Sequence, residues 1–165
     1  MTRVYIALTR AELTELAGRA VLEGGPAFAV TPALRSSYAE AGIDDEEELE
    51  YVAMTVAAGV SLTRLDAGDP QDDRRIVVAA DTEVRSLRDP DHPAHPARVE
   101  LVAPVPLASI VSVHVDTDDV RSLVRVAVRA LPAAAAGDES AAAAVDALEE
   151  EELAWYGTQE LGDVL

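Results

Sequence analysis

At 165 residues, 49% of them hydrophobic, the chain is long and apolar enough to build one domain with a buried core, and too apolar to stay disordered. It contains no cysteine, which excludes disulfides and thiolate metal sites and fits a reducing compartment. Its formal net charge of -18 excludes direct binding of nucleic acid, whose phosphates need cations, and disfavours an anionic membrane surface.

The opening apolar run, "VYIAL", is too short for a signal peptide, and no segment approaches the roughly 18 apolar residues of a membrane span. A cytoplasmic protein is expected. All 13 basic residues are arginine, and lysine and asparagine are absent; this is the composition of a GC-rich genome and carries no functional message. The charge is unevenly placed. Glu40, Asp44, Asp45, Glu46, Glu47, Glu48 and Glu50 form one block without arginine, and nine acids follow Arg129 with none. Acidic faces of this kind keep a protein soluble and suit a basic protein partner.

In chain order, Arg3–Leu8 reads as a strand of β-branched and aromatic residues. "TRAE", Thr9 to Glu12, is a capping box that opens a helix with Leu13 and Leu16 on its apolar face. "EGGP" ends it, and Ala27–Val30 is a short strand. Thr31 and Pro32 are the N-cap and first residue of a short helix to about Glu40. Carboxylates crowd the start of the longest helix, about Asp45 to Leu65, where they complement the positive end of its dipole. "DAGDPQDD" is a loop. "RRIVVAAD" is an unbroken apolar run, the pattern of a strand covered on both faces.

The proline-rich stretch Arg88–Ala97 is a loop. "RVELVAPVPL" is a strand whose later part, with Pro104 and Pro106, lies at an edge or leaves the sheet. "SIVSVHVD" is the next strand, followed by a helix from Asp118 to about Leu131 that Asp116 or Thr117 would cap. "PAAAAGDES" connects to a last helix over about 140–161, capped by Asp138 or Ser140. The order is β-α-β-α-α-β-β-β-α-α, which predicts an α/β (α+β) domain spanning 1–165, with one mixed sheet of about five strands and helices packed on it. No internal repeat is visible.

Four groups of residues are candidates for chemistry. In a strand, His114 and Asp116 share a face about 7 Å apart, and with Asp81, which ends the earlier apolar strand, they could hold a divalent ion for phosphoryl chemistry. The rival reading makes Asp116 a cap and its neighbours first-turn acids. His92 and His95 stand three residues apart in the proline-rich loop, fewer than the three or four rigid ligands a stable metal site needs. Arg121, Arg125 and Arg129 form one helix ridge, which could meet an anion, or pair with the chain's own acids such as the "EEEE" cluster Glu149–Glu152, within one chain or in a second copy. Glu149, Glu150, Trp155 and Tyr156 combine carboxylates with aromatics, either to anchor the terminal helix or to form an aromatic hot spot inside an acidic rim. There is no glycine-rich phosphate loop and no G-x-S-x-G elbow.

"RVYIALT", "AFAVTPALR", "EEELEYVAMT", "IVVAAD", "VPLASIVSVHVD" and "LAWYGTQEL" together resemble an uncharacterised family of small acidic actinobacterial proteins, a domain of unknown function. The resemblance spans nearly the whole chain. It implies a bacterial cytoplasmic protein and carries no catalytic residue onto any position. The first functional reading is therefore a non-enzymatic protein that works through protein–protein contact or self-association of acidic helices, with no cofactor implied. The alternative is a metal-assisted enzyme on a phosphorylated small molecule using Asp81, Asp116 and His114, which requires those three groups to meet within about 5–6 Å. A small-molecule sensor has no specific support.

Overall fold

The computed structural model describes residues 1–86 and 95–165. In chain order its elements are β1 (Thr2–Leu8), α1 (Arg10–Arg19), β2 (Val21–Leu22), β3 (Ala27–Phe28), α2 (Pro32–Ala39), α3 (Glu46–Thr63), β4 (Ile76–Thr82), β5 (Val84–Ser86), β6 (Arg98–Leu101), β7 (Val105–Pro106), β8 (Ile110–Val115), α4 (Arg121–Ala135), α5 (Glu139–Glu149), β9 (Ala154–Tyr156) and α6 (Leu161–Val164). The α/β class read from the pattern holds.

The sheet is larger than expected and uniform in direction. Seven strands run in the order β5-β6-β3-β1-β4-β8-β9, and each neighbouring pair is antiparallel. The mixed five-stranded sheet was inferred from helical crossovers, which permit parallel pairing without requiring it. Here α2, α3 and their connections carry the chain from β3 past β1 to β4, which then runs antiparallel to β1 over seven residue pairs. β2 and β7 form a separate two-stranded ladder, so the segment around Pro104 and Pro106 does leave the main sheet.

β4 accounts for its own composition. Ile76, Val78 and Ala80 enter one core cluster with Val4, Ile6, Leu13 and Leu16, under α1. Val77 and Ala79 enter another with Tyr5, Phe28, Leu34, Leu49 and Ala53, under α2 and α3. A strand with helices over both faces has no polar side to show, hence the continuous apolar run. Each fully covered Val or Leu contributes about 1.5–3 kcal/mol relative to exposure. The α4–α5 hairpin packs Val124, Ala127, Val128 and Leu148 against Leu62 and Leu65 at the end of α3, making a third cluster beside the sheet. Gly137, at φ +92, makes the tight turn between the two helices.

Local chemistry sets the helix starts. The Thr9–Glu12 capping box forms, with Thr9 N–H donating to the Glu12 carboxylate at 2.8 Å. Arg64 then clamps that carboxylate with Nη2 at 2.6 Å from Oε1. Thr31 caps α2 by accepting from Leu34 N–H at 3.0 Å, Asp45 caps α3, and Asp138 caps α5.

Two expectations for helices are corrected. The helix after β8 begins with a single 3-10 turn at Asp118–Val120 and continues past Pro132 to Ala135. Thr117 holds the N-cap position of that turn, but its side chain makes no cap bond: its hydroxyl donates to Asp119, and Asp116 is taken by Arg75. The last helix does not run over 140–161. It ends at Glu149, and Ala154–Tyr156 form the edge strand β9. Glu149 to Glu152 sit at the negative end of the α5 dipole, where carboxylates are unfavourable, while Trp and Tyr favour strands.

Candidate functional site

The sheet direction decides the first candidate. In an antiparallel pair, the carboxyl ends of neighbouring strands lie at opposite ends of the sheet. Asp116 N–H donates to the carbonyl of Arg75, just before β4, whereas Asp81 lies six residues further along (81 minus 75) near its far end. At about 3.3 Å per residue, the two aspartates are about 20 Å apart. The three-residue site of Asp81, Asp116 and His114 therefore does not form. Among the described residues, no three His, Asp or Glu side chains come together as metal ligands.

Each of the three serves the fold separately. Asp81 takes Arg3 Nε at 2.7 Å, and that hydrogen bond holds its carboxyl below the ordinary carboxylate range. Asp116, fully buried, receives Arg75 Nε at 2.9 Å, Nη2 at 2.7 Å and the Arg75 backbone N–H at 2.8 Å. Arg75 Nη2 also donates to the carbonyl of Glu151 at 2.9 Å, so this pair ties β4 to the segment that leads into β9. His114 Nε2 lies 3.0 Å from Ser112 Oγ, and burial pushes its imidazole below the usual histidine value. His95 accepts a hydrogen bond from Ala97 N–H at Nδ1, 3.1 Å away; His92 lies outside the described residues.

The arginine ridge does find an internal partner, but not the Glu149–Glu152 cluster. Arg121 Nε donates to both oxygens of Asp73 at 3.0 Å, and Arg125 reaches the same carboxylate. Asp73 is 1% exposed. Burial pushes its pKa up, and the hydrogen bonds from Arg121 and Arg125 more than offset that, leaving it below the ordinary carboxylate range. Sequence reasoning missed Asp73 because "DAGDPQDD" offers four aspartates alike in appearance, and nothing local says which one is buried. Arg129 makes no ion pair among the described residues.

The aromatic and acidic group at the end of α5 forms a surface. Trp155 pairs with His114 across the β8–β9 ladder, so it shares the sheet face of His114 and of Val77 beneath α3. It is nevertheless 62% exposed, because β9 is the last strand and α3 does not extend over it. Tyr156 points the other way and packs against the core with Val113 and Val115. Glu149 to Glu152 are all exposed. Among the described residues no arginine pairs with any of these four carboxylates. Beside them a cavity of about 110 Å³ opens between α3 and the α5–β9 connection, lined by Met54 and Leu153, by Tyr51, by Glu149, Glu151 and Glu152, and by Arg75, whose guanidinium is taken up by Asp116 and the Glu151 carbonyl. Tyr51 is itself 51% exposed.

Fold and surface together define an antiparallel α/β fold with a sheet edge, β9, that is both aromatic and acidic and has no further strand beside it among the described residues. The chain belongs to the family of unknown function DUF6912, whose sequence profile matches residues 2–165. No curated protein and no solved structure matches it. No helix among the described residues is long and apolar enough to cross a membrane.

Proposed function

We propose that the protein is a non-enzymatic cytoplasmic contact protein whose working surface is the β9 edge and the neighbouring α3 face, and whose partner presents a basic segment. The observation that carries this reading is Trp155, 62% exposed on an edge strand next to four glutamates that pair with no arginine among the described residues. A large aromatic in water costs free energy that a partner would recover, and aromatic residues dominate binding energy at interfaces. The outer edge of β9 has no neighbouring strand among the described residues, so it can accept an added strand. An arginine on that strand would lay its apolar stem along Met54 and Leu153 and direct its guanidinium to Glu149, Glu151 and Glu152. Self-association through the arginine ridge is less favoured, since Arg121 and Arg125 are already held by Asp73.

Affinity capture from the native host, at low and high salt, tests the reading, with light scattering to detect self-association. A partner or second copy retained at low salt, and lost both at high salt and with Trp155→Ala, is the expected result. A chain that stays monomeric and retains nothing in either condition, or retention indifferent to Trp155→Ala, contradicts it.

A further inference from the structure

In a chain with 18 excess negative charges, three of the 13 arginines line one cavity. Its volume is about 190 Å³, and it is lined by Arg10, Gln71, Arg74 and Arg121, by Ile76 and Val164, and by Leu165, whose main-chain oxygen accepts from Arg10. The arginines come from three separate parts of the fold. Arg10 is the first residue of α1, Arg74 lies in the loop before β4, and Arg121 is the first residue of α4. The positive ends of two helices therefore begin at this wall and add to the charge of the guanidiniums.

Each guanidinium is fixed by one side and keeps donors for another. Arg10 gives one Nη to Gln71 and the other to the main-chain oxygen of Leu165, both at 2.8 Å. Arg74 gives Nη2 to Asp118. Arg121 gives Nε to Asp73 and Nη1 to Asp118. A guanidinium has five N–H donors, so Arg10 Nε, Arg74 Nε and Nη1, and Arg121 Nη2 remain without partners among the described residues. Asp118, the carboxylate that Arg74 and Arg121 share, is 79% exposed, and such a surface pair yields at little cost.

We propose that this cavity is a binding site for the phosphate group of a small phosphate monoester. Three forked donors arriving from different directions suit a tetrahedral dianion, whereas a planar carboxylate is matched by one or two. The volume corresponds to about six waters at about 30 Å³ each, enough for a phosphate and a short stem against Ile76 and Val164. The overall acid excess does not forbid this, because at physiological salt charges beyond about 8 Å are largely screened and the near ones decide, three guanidiniums against Asp73 and Asp118. The site shares no lining residue with the cavity beside β9.

The probe is inorganic phosphate titrated into the full chain at about 0.15 M ionic strength, followed by calorimetry and by the arginine side-chain N–H signals in NMR. Saturable binding is expected, weakened at least about tenfold by Arg74→Gln and by Arg10→Gln. Arg35→Gln, which removes an exposed pair with Glu46 elsewhere, should leave it unchanged. Arg74→Gln breaks only the pair with the exposed Asp118, so it keeps the fold even where Arg10→Gln does not. No saturable signal up to about 10 mM phosphate, equal affinity in Arg74→Gln, or acetate binding as tightly as phosphate would each overturn the proposal.

Discussion

Both oxygens of Asp116 are occupied, and by the same arginine. Such a buried pair contributes little net stability over an apolar replacement, but losing one partner strands the other charge. Asp116→Asn should therefore lower unfolding free energy by about 3–5 kcal/mol, while Arg75→Met with Asp116→Leu should recover most of that. Urea unfolding of the two variants decides this, and a double variant less stable than the single one would refute it. His114 gives a second test at this scale. Burial lowers its pKa in the folded state, so between that value and about 6.5 the unfolded chain binds more protons. Its contribution to stability is complete above about pH 6.5 and declines as the pH falls through that window. Unfolding measured at pH 7.5 and at pH 5.5 should show a larger loss for the native chain than for His114→Gln; an equal loss in both would show that His114 is not protonated on unfolding. The face shared by His114 and Asp116 was legible from strand alternation, which is local. The partner of Asp116 was not, because Arg75 lies 41 residues away in the chain.

Among the elements, the helix starts were the most legible parts of the chain, because a cap is a contact between residues two or three apart. Thr9, Thr31, Asp45 and Asp138 all accept backbone N–H groups of their own helices. Helix ends were less so. α1 stops at Ala20, a non-glycine residue at φ 57, where a side chain costs about 1 kcal/mol relative to glycine. Ala20→Gly should raise stability by about that amount, read as a higher denaturation midpoint with an unchanged slope. A lower midpoint would mean that the left-handed cap is not kept in solution. The end of α5 misled for a different reason. Val145, Leu148 and Trp155 are spaced for one helix face, but a run of four carboxylates at a helix C-terminus opposes the dipole, and β8 offers Trp and Tyr an unpaired edge. Helical spacing is a local signal, and an available sheet edge is not.

For the whole molecule, the α/β class followed from alternation and length, whereas strand order and direction depend on pairings between segments tens of residues apart. That difference governs the functional account. The parallel arrangement that would gather Asp81 and Asp116 at one end of the sheet is absent, and both aspartates are held by arginines. Among the described residues no buried polar side-chain atom lacks a partner. Two groups of ionisable side chains stand out at the surface: four glutamates around Trp155, and the arginines of the cavity at the starts of α1 and α4. Trp155 is the single tryptophan and stands beside the glutamates on the outermost strand, so the contact surface centres on one position. The most direct measurement is a photo-crosslinking side chain placed at residue 155 in living cells of the native host. A discrete covalent adduct with one partner, lost when Glu149 to Glu152 are all changed to glutamine, is what the account predicts. Absence of any adduct, or an adduct that persists without those four carboxylates, would contradict it.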